Sequence, residues 1–189
     1  MGVYRGITQD NVTLNGGTAY NLNLVTPSIG GTALGATAVE IDAVADVSTR
    51  MVAAGATLAV TAALHAGRII QLNALAGSVC TLPAATGTGN VYTFVTSVIA
   101  TSNSHIIKVA NATDVMSGSL TVVDNADGTN TAFGTVAASD TITLNRSTTG
   151  SAKVGERINI IDVAAGFFSV TGTTIGTGGT EASPFSAAV

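Results

Sequence analysis

Residues 78–98 run Ser78-Val79-Cys80-Thr81-Leu82, then Pro83 and the turn makers Gly87-Thr88-Gly89-Asn90, then Val91-Tyr92-Thr93-Phe94-Val95-Thr96-Ser97-Val98. The first run alternates as a strand does, proline and glycine interrupt it, and the last run is a second strand. Outward from here the same unit recurs at 57–61, 68–73, 105–109, 119–123, 141–145, 157–163 and 167–172, with turns at Ala76-Gly77, Asn125-Ala126-Asp127-Gly128 and Thr148-Thr149-Gly150. Roughly nine short strands joined by glycine-rich turns predict an all-β fold: a β-sandwich, jelly-roll-like or β-barrel body. Upstream, 3–8 and 18–25 read as extended around Asn15-Gly16-Gly17, 27–35 as loop, and Ala38-Val39-Glu40-Ile41-Asp42-Ala43-Val44 alternates like a half-buried strand. The expected organisation is an extended N-terminal arm or hairpin segment, 1–50, and a β-sandwich-like body, 51–189. Residues 49–66 are alanine-rich enough for a helix, but Gly55 and the threonines weaken one, so strand plus loop is expected. No fixed-period repeat is visible.

A chain of 189 residues is long enough for one domain with a core, or one domain plus an arm. Only 10% of it is charged, against about 25% in ordinary soluble proteins. Its apolar content is mostly Ala and Val, and its polar content mostly Thr, Ser, Asn and Gly. Such a chain builds thin β layers and uncharged surfaces, suited to permanent contact with neighbours. A net charge of -4 with seven scattered Lys and Arg residues gives no basic stripe, so no nucleic acid partner is expected. Lys153 and Arg157, the closest pair of cations, read as a solvated strand edge. Residues 51–67 carry no formal charge, but Ala, Gly and Thr make them too weakly apolar for a bilayer core, and no membrane partner is expected. Met1-Gly2-Val3-Tyr4-Arg5 is not followed by an apolar signal core, so export by the usual route is not expected.

The residues of types suited to chemistry stand apart. Cys80 is the single cysteine, which excludes an intrachain disulfide and a Cys-rich zinc site and reads as a buried small hydrophobe. His65 and His105 have no carboxylate or second ligand at helical or strand spacing, and structural roles are expected. Gly87-Thr88-Gly89 lacks the third glycine of a dinucleotide loop. Asp124-Asn125-Ala126-Asp127-Gly128 imitates a calcium loop, but Ala126 and Gly128 occupy ligand positions, so it reads as a hairpin turn. Asp10, Glu40, Asp114, Asp140, Glu156 and Glu181 form no local pair for acid–base work. Asn11, Asn111 and Asn145 fit the glycosylation pattern only by chance. No enzyme activity, catalytic residue, metal or cofactor is expected.

The run Leu64-His65-Ala66-Gly67-Arg68-Ile69-Ile70-Gln71-Leu72-Asn73-Ala74, then Thr81-Leu82-Pro83-Ala84-Ala85-Thr86-Gly87-Thr88-Gly89 and Tyr92-Thr93-Phe94, resembles a family of tailed-bacteriophage head decoration (cement) or minor capsid proteins. Ser102-Asn103-Ser104-His105-Ile106-Ile107-Lys108-Val109, Ser139-Asp140-Thr141-Ile142-Thr143-Leu144 and Gly178-Gly179-Thr180-Glu181-Ala182-Ser183-Pro184-Phe185 extend the resemblance, which covers roughly 58–189. It implies a β-sandwich-like virion structural protein, a homotrimer on the outer surface of the capsid, with the major capsid protein as partner. The first 26 residues, extended and carrying Tyr4, Arg5 and Tyr20 as anchors, are the expected capsid or subunit contact, adding a strand to a neighbour's sheet edge. Two alternatives stand beside it. One is a phage tail, fibre or baseplate component. The other is a carbohydrate-binding β-sandwich module, which the absence of Trp and the presence of only three Tyr and five Phe disfavour.

Overall fold

The computed structural model describes residues 28–29, 32–33, 35–37, 40–41 and 50–189. The chain forms two units, 1–36 and 37–189. In the first, β1 (Ser28–Ile29) pairs antiparallel with β2 (Thr32–Ala33), a short ladder where plain loop was expected. The extended segments expected at 3–8 and 18–25 lie outside the described residues.

In the second unit Glu40 and Ile41 are helical where a strand was expected over 38–44, and the other residues of that stretch lie outside the described residues. Thr37 and Glu40 cause the helical start. The Glu40 carboxylate accepts from the Thr37 N–H and hydroxyl, both at 2.7 Å, and the Glu40 N–H donates to Thr37 Oγ1 at 3.3 Å. This reciprocal Thr-x-x-Glu exchange is a capping box, which satisfies orphan donors of a first helical turn.

Three successive strand pairs follow: β3 (Met51–Ala53) with β4 (Thr57–Ala59), β5 (Ile69–Leu72) with β6 (Val79–Thr81), and β7 (Val91–Thr96) with β8 (His105–Lys108). The first strand of each pair enters one sheet and the second enters the other. Like strands stack in parallel, Met51 beside Ile69 beside Thr93, and Thr57 beside Val79 beside Ile106. The chain therefore winds three turns of a flattened coil. Its stacked residues lie farther apart in sequence at each turn, which is why no fixed period is visible. A single helical turn, α1 (Ala62–His65), makes the corner after β4, so 49–66 is strand and loop with one turn of helix.

Beyond β8, β9 (Val115–Asp124) and β10 (Asn130–Gly134) form a hairpin, β11 (Thr141–Leu144) returns beside β8, and β12 (Arg157–Ala164) and β13 (Phe167–Gly176) form a second hairpin. β12 pairs antiparallel with β7 while β13 pairs parallel with β9, so this hairpin joins the coil to the β9–β10 hairpin. β14 (Phe185–Ser186) closes on β11. The result is two mixed sheets packed together, of order β10-β9-β13-β12-β7-β5-β3 and β14-β11-β8-β6-β4. Both keep open edges, so the all-β body is a sandwich and not a closed barrel. Every strand read from alternation over 57–172 is present. Among the described residues no helix is long and apolar enough to cross a membrane.

Alternation fills the space between the sheets. Ile70, Phe94, Ile158, Gly172 and Leu120 are successive cross-strand neighbours on the inner face of the larger sheet. Leu58, Cys80, Ile107, Ile142 and Phe185 form the matching row of the smaller one. Full burial of each large side chain contributes about 1.5–3 kcal/mol. Glycine appears in β9 where approach is closest: Gly118 has a φ of 146°, and a Cβ there would collide with the Val170 carbonyl of β13.

Candidate interaction surface

The side chains of the buried Asp114, Asp124, Asp140, Glu156 and Asp162 all accept hydrogen bonds from main-chain donors. Asp162 on β12 accepts from the N–H groups of Thr86 (2.9 Å), Gly87 (2.7 Å) and Thr88 (3.2 Å) and from the hydroxyls of Thr88 (2.7 Å) and Thr86 (3.3 Å). Burial pushes its pKa up, but these donors outweigh it and hold the carboxyl below the ordinary value. Asp140 likewise sits low against its burial, held by the N–H groups of Ala188 (2.8 Å) and Val189 (3.2 Å) and the Thr141 hydroxyl (2.7 Å). Asp114 takes the Ala85 N–H and the Asn111 amide, both at 2.9 Å. Glu156 takes the N–H groups of Ser151 and Lys153 at 2.6 Å, yet burial dominates and raises its carboxyl. Asp124 takes the Ala126 N–H at 2.6 Å, closing the β9–β10 turn expected from its sequence. Lone pairs committed to loop backbone make these side chains anchors of the turns. Among the described residues no three His, Cys, Asp or Glu side chains converge as a metal site.

The histidines are anchors too. His105 Nδ1 accepts the Ser78 N–H at 2.9 Å, and its Nε2 lies 2.8 Å from the Val98 carbonyl, which together fix a neutral ring donating through Nε2. Burial lowers the pKa of His105, against the pull of Val98. His65 Nδ1 accepts the Thr61 N–H at 2.9 Å at the start of α1, and its pKa is also lowered by burial. Cys80 is fully buried, its thiol pushed up to about 12, as expected of a small core hydrophobe. Asn111 and Asn145 cap their own turns, accepting from Thr113 N–H (2.9 Å) and Thr148 N–H (2.8 Å).

The outer face of the seven-stranded sheet is different in kind. Cross-strand register lays out its rows: Met51, Ile69, Thr93, Asn159, Thr171 and Ser119 in one, and Ala53, Gln71, Val95, Arg157, Thr173 and Thr121 in the next. Val91, Ile161, Ser169 and Ser117 make a third. Met51 and Phe167 are about half exposed, at 51% and 50%. One formal charge, Arg157, stands in these rows, on the central strand β12. No family model, no curated protein and no solved structure matches this chain.

Of the residues expected to make contacts, Tyr4, Arg5, Tyr20 and the rest of 1–26 lie outside the described residues. The reading of Lys153 and Arg157 as a strand edge is corrected. Lys153 lies in the turn before β12, and Arg157 begins the central strand of seven. What sequence reasoning missed is this placement. Its signal was the single cation in Arg157-Ile158-Asn159-Ile160-Ile161, at an outward position of an otherwise neutral alternating run.

Proposed function

We propose that this chain is a virion structural protein, a decoration or cement protein that binds the outer surface of a tailed-phage capsid and stabilises it. Its partner on this reading is the major capsid protein, and its working unit a homotrimer. The observation that carries the reading is the broad, nearly charge-free outer face of the larger sheet. Neutral Thr, Ser and aliphatic surface approaches another protein with little desolvation cost, and valency multiplies modest contacts into firm attachment. The loop carboxylates and histidines, spent on internal anchoring, suit a scaffold. The test is co-sedimentation of purified protein with heads lacking it, separated from tails, together with its solution mass. Trimers that saturate heads and raise their resistance to heat or chelator support the reading; binding to tails alone refutes it.

One feature favours a second reading. The three parallel turns of β3 to β8 are built as β-solenoid shafts are, by stacking like strands. A tail, fibre or baseplate component would use the same construction, and the tail fraction of the same experiment reports on it.

A further inference from the structure

We propose that the outer face of the seven-stranded sheet docks onto a protein surface of the particle that presents a carboxylate to Arg157. This deepens the reading as a virion structural protein and rests on it. Arg157 is exposed and has no hydrogen-bond or ion-pair partner among the described residues. Its register neighbours are Val95 and Thr173. Arg157 itself lines a depression of about 480 Å³ with Val154, Gly155, Glu156, Asn159 and Thr173, and the buried Glu156 carboxylate there is already engaged by the Ser151 and Lys153 N–H groups. The Thr93 hydroxyl donates to Asn159 Oδ1 at 2.9 Å, which leaves the Asn159 amide N–H groups available to a ligand. Guanidinium, amide and hydroxyl donors over one depression match a carboxylate, which a guanidinium binds through two parallel hydrogen bonds.

The surroundings fit burial under a protein. Seven strands at about 4.8 Å spacing and some 3.3 Å per residue give a face of roughly 600 Å² in projection. That approaches the roughly 800 Å² per partner of a standard interface. Arg157 stands on the middle strand of the seven, at the end of β12 beside Val95 and Thr173, and a desolvated arginine among Thr and aliphatic side chains is a residue type enriched in interface hot spots. Charge decides the occupant. The rows of this face hold no carboxylate, so two copies laid face to face would bury both guanidiniums without counter-charge, a heavy desolvation cost. A partner of different surface, carrying an Asp or Glu, removes that cost.

The experiment titrates wild type, Arg157→Glu, Arg157→Gln and Lys108→Glu onto heads lacking the protein, with thermal melts confirming that each variant folds. Lys108→Glu makes the same charge change on the smaller sheet. The expected result is a loss of at least about tenfold in affinity for Arg157→Glu, a smaller loss for Arg157→Gln, and none for Lys108→Glu. Arg157→Glu binding heads as wild type does overturns the inference and leaves the capsid reading standing. Wild type binding tails instead overturns the capsid reading; the same series on tails then supports the inference if only the Arg157 variants weaken, and overturns it if they do not. A wild-type oligomer that Arg157→Glu dissociates assigns the face to a second copy and overturns the inference. Wild type binding neither particle overturns both.

Discussion

Asp162 provides the sharpest test of how the turns are held. Removing its carboxylate strips an acceptor from five donors, of which Gly87 N–H and the Thr88 hydroxyl are the closest at 2.7 Å. Hydrogen bonds to a charged group contribute about 1.5–3 kcal/mol each. Thr86, Gly87 and Thr88 are exposed, so water recovers much of the longer bonds. Two strong bonds at the lower figure give a loss of about 3 kcal/mol for Asp162→Ala. Asp162→Asn keeps one acceptor oxygen and loses about half of that. Urea unfolding at neutral pH measures both, and amide exchange at Gly87 and Thr88 locates the effect. The pH dependence has a fixed sign. The folded pKa lies below the ordinary 3.8, so this contribution is full above that value and is lost as pH falls through the folded one. The gap between wild type and Asp162→Asn therefore closes in strong acid. A neutral-pH loss below about 1 kcal/mol for Asp162→Ala, less than a single such bond, or a gap indifferent to acid, refutes the reasoning.

Other consequences are as direct. His65 and His105 both titrate below the ordinary 6.5, so stability is full above that pH and falls as the unfolded chain takes up protons beneath it; a thermal midpoint unchanged between neutral and mildly acidic buffer contradicts this. Cys80, buried with its thiol near 12, resists alkylation until the sandwich opens, so labelling of the native protein at neutral pH counts against the packing described. Gly118→Ala drives a methyl into the Val170 carbonyl and is expected to cost about 3 kcal/mol or more, with exchange protection lost along β9 and β13; a wild-type melting profile rules it out.

How far the sequence discloses this fold follows from burial. β7 and β12 each bury every second residue, and alternation there is plain in the chain. β10 is an edge strand with almost every residue exposed, so Asn130-Thr131-Ala132-Phe133-Gly134 offers no such pattern and was not read as a strand. The edge strand β3 falls within 49–66, where strand plus loop was expected. Alternation misled at Glu40 and Ile41, where the informative signal was Thr37 three residues before Glu40. The anchoring roles of Asp162 and Asp140 were illegible because their partners lie far off in sequence, at Thr86 to Thr88 and at Ala188 and Val189. Arg157 was visible as the lone cation of its strand, but its central position depends on which strands flank β12, and pairings across sixty residues leave no local trace.

The β12–β13 hairpin gives the molecule an order of assembly. The coil of β3 to β8 stacks each turn on the one before it in the chain. β9 and β10 then close on each other locally. Without residues 157–176, β7 and β9 each present a bare sheet edge. Such edges are templates for pairing with other chains. The last hairpin slots between them and seals both at once, so the interval before its synthesis is when the nascent protein is most prone to pair with its neighbours. A chain stopped short of Arg157 is left as two half-sheets, each with an adhesive side.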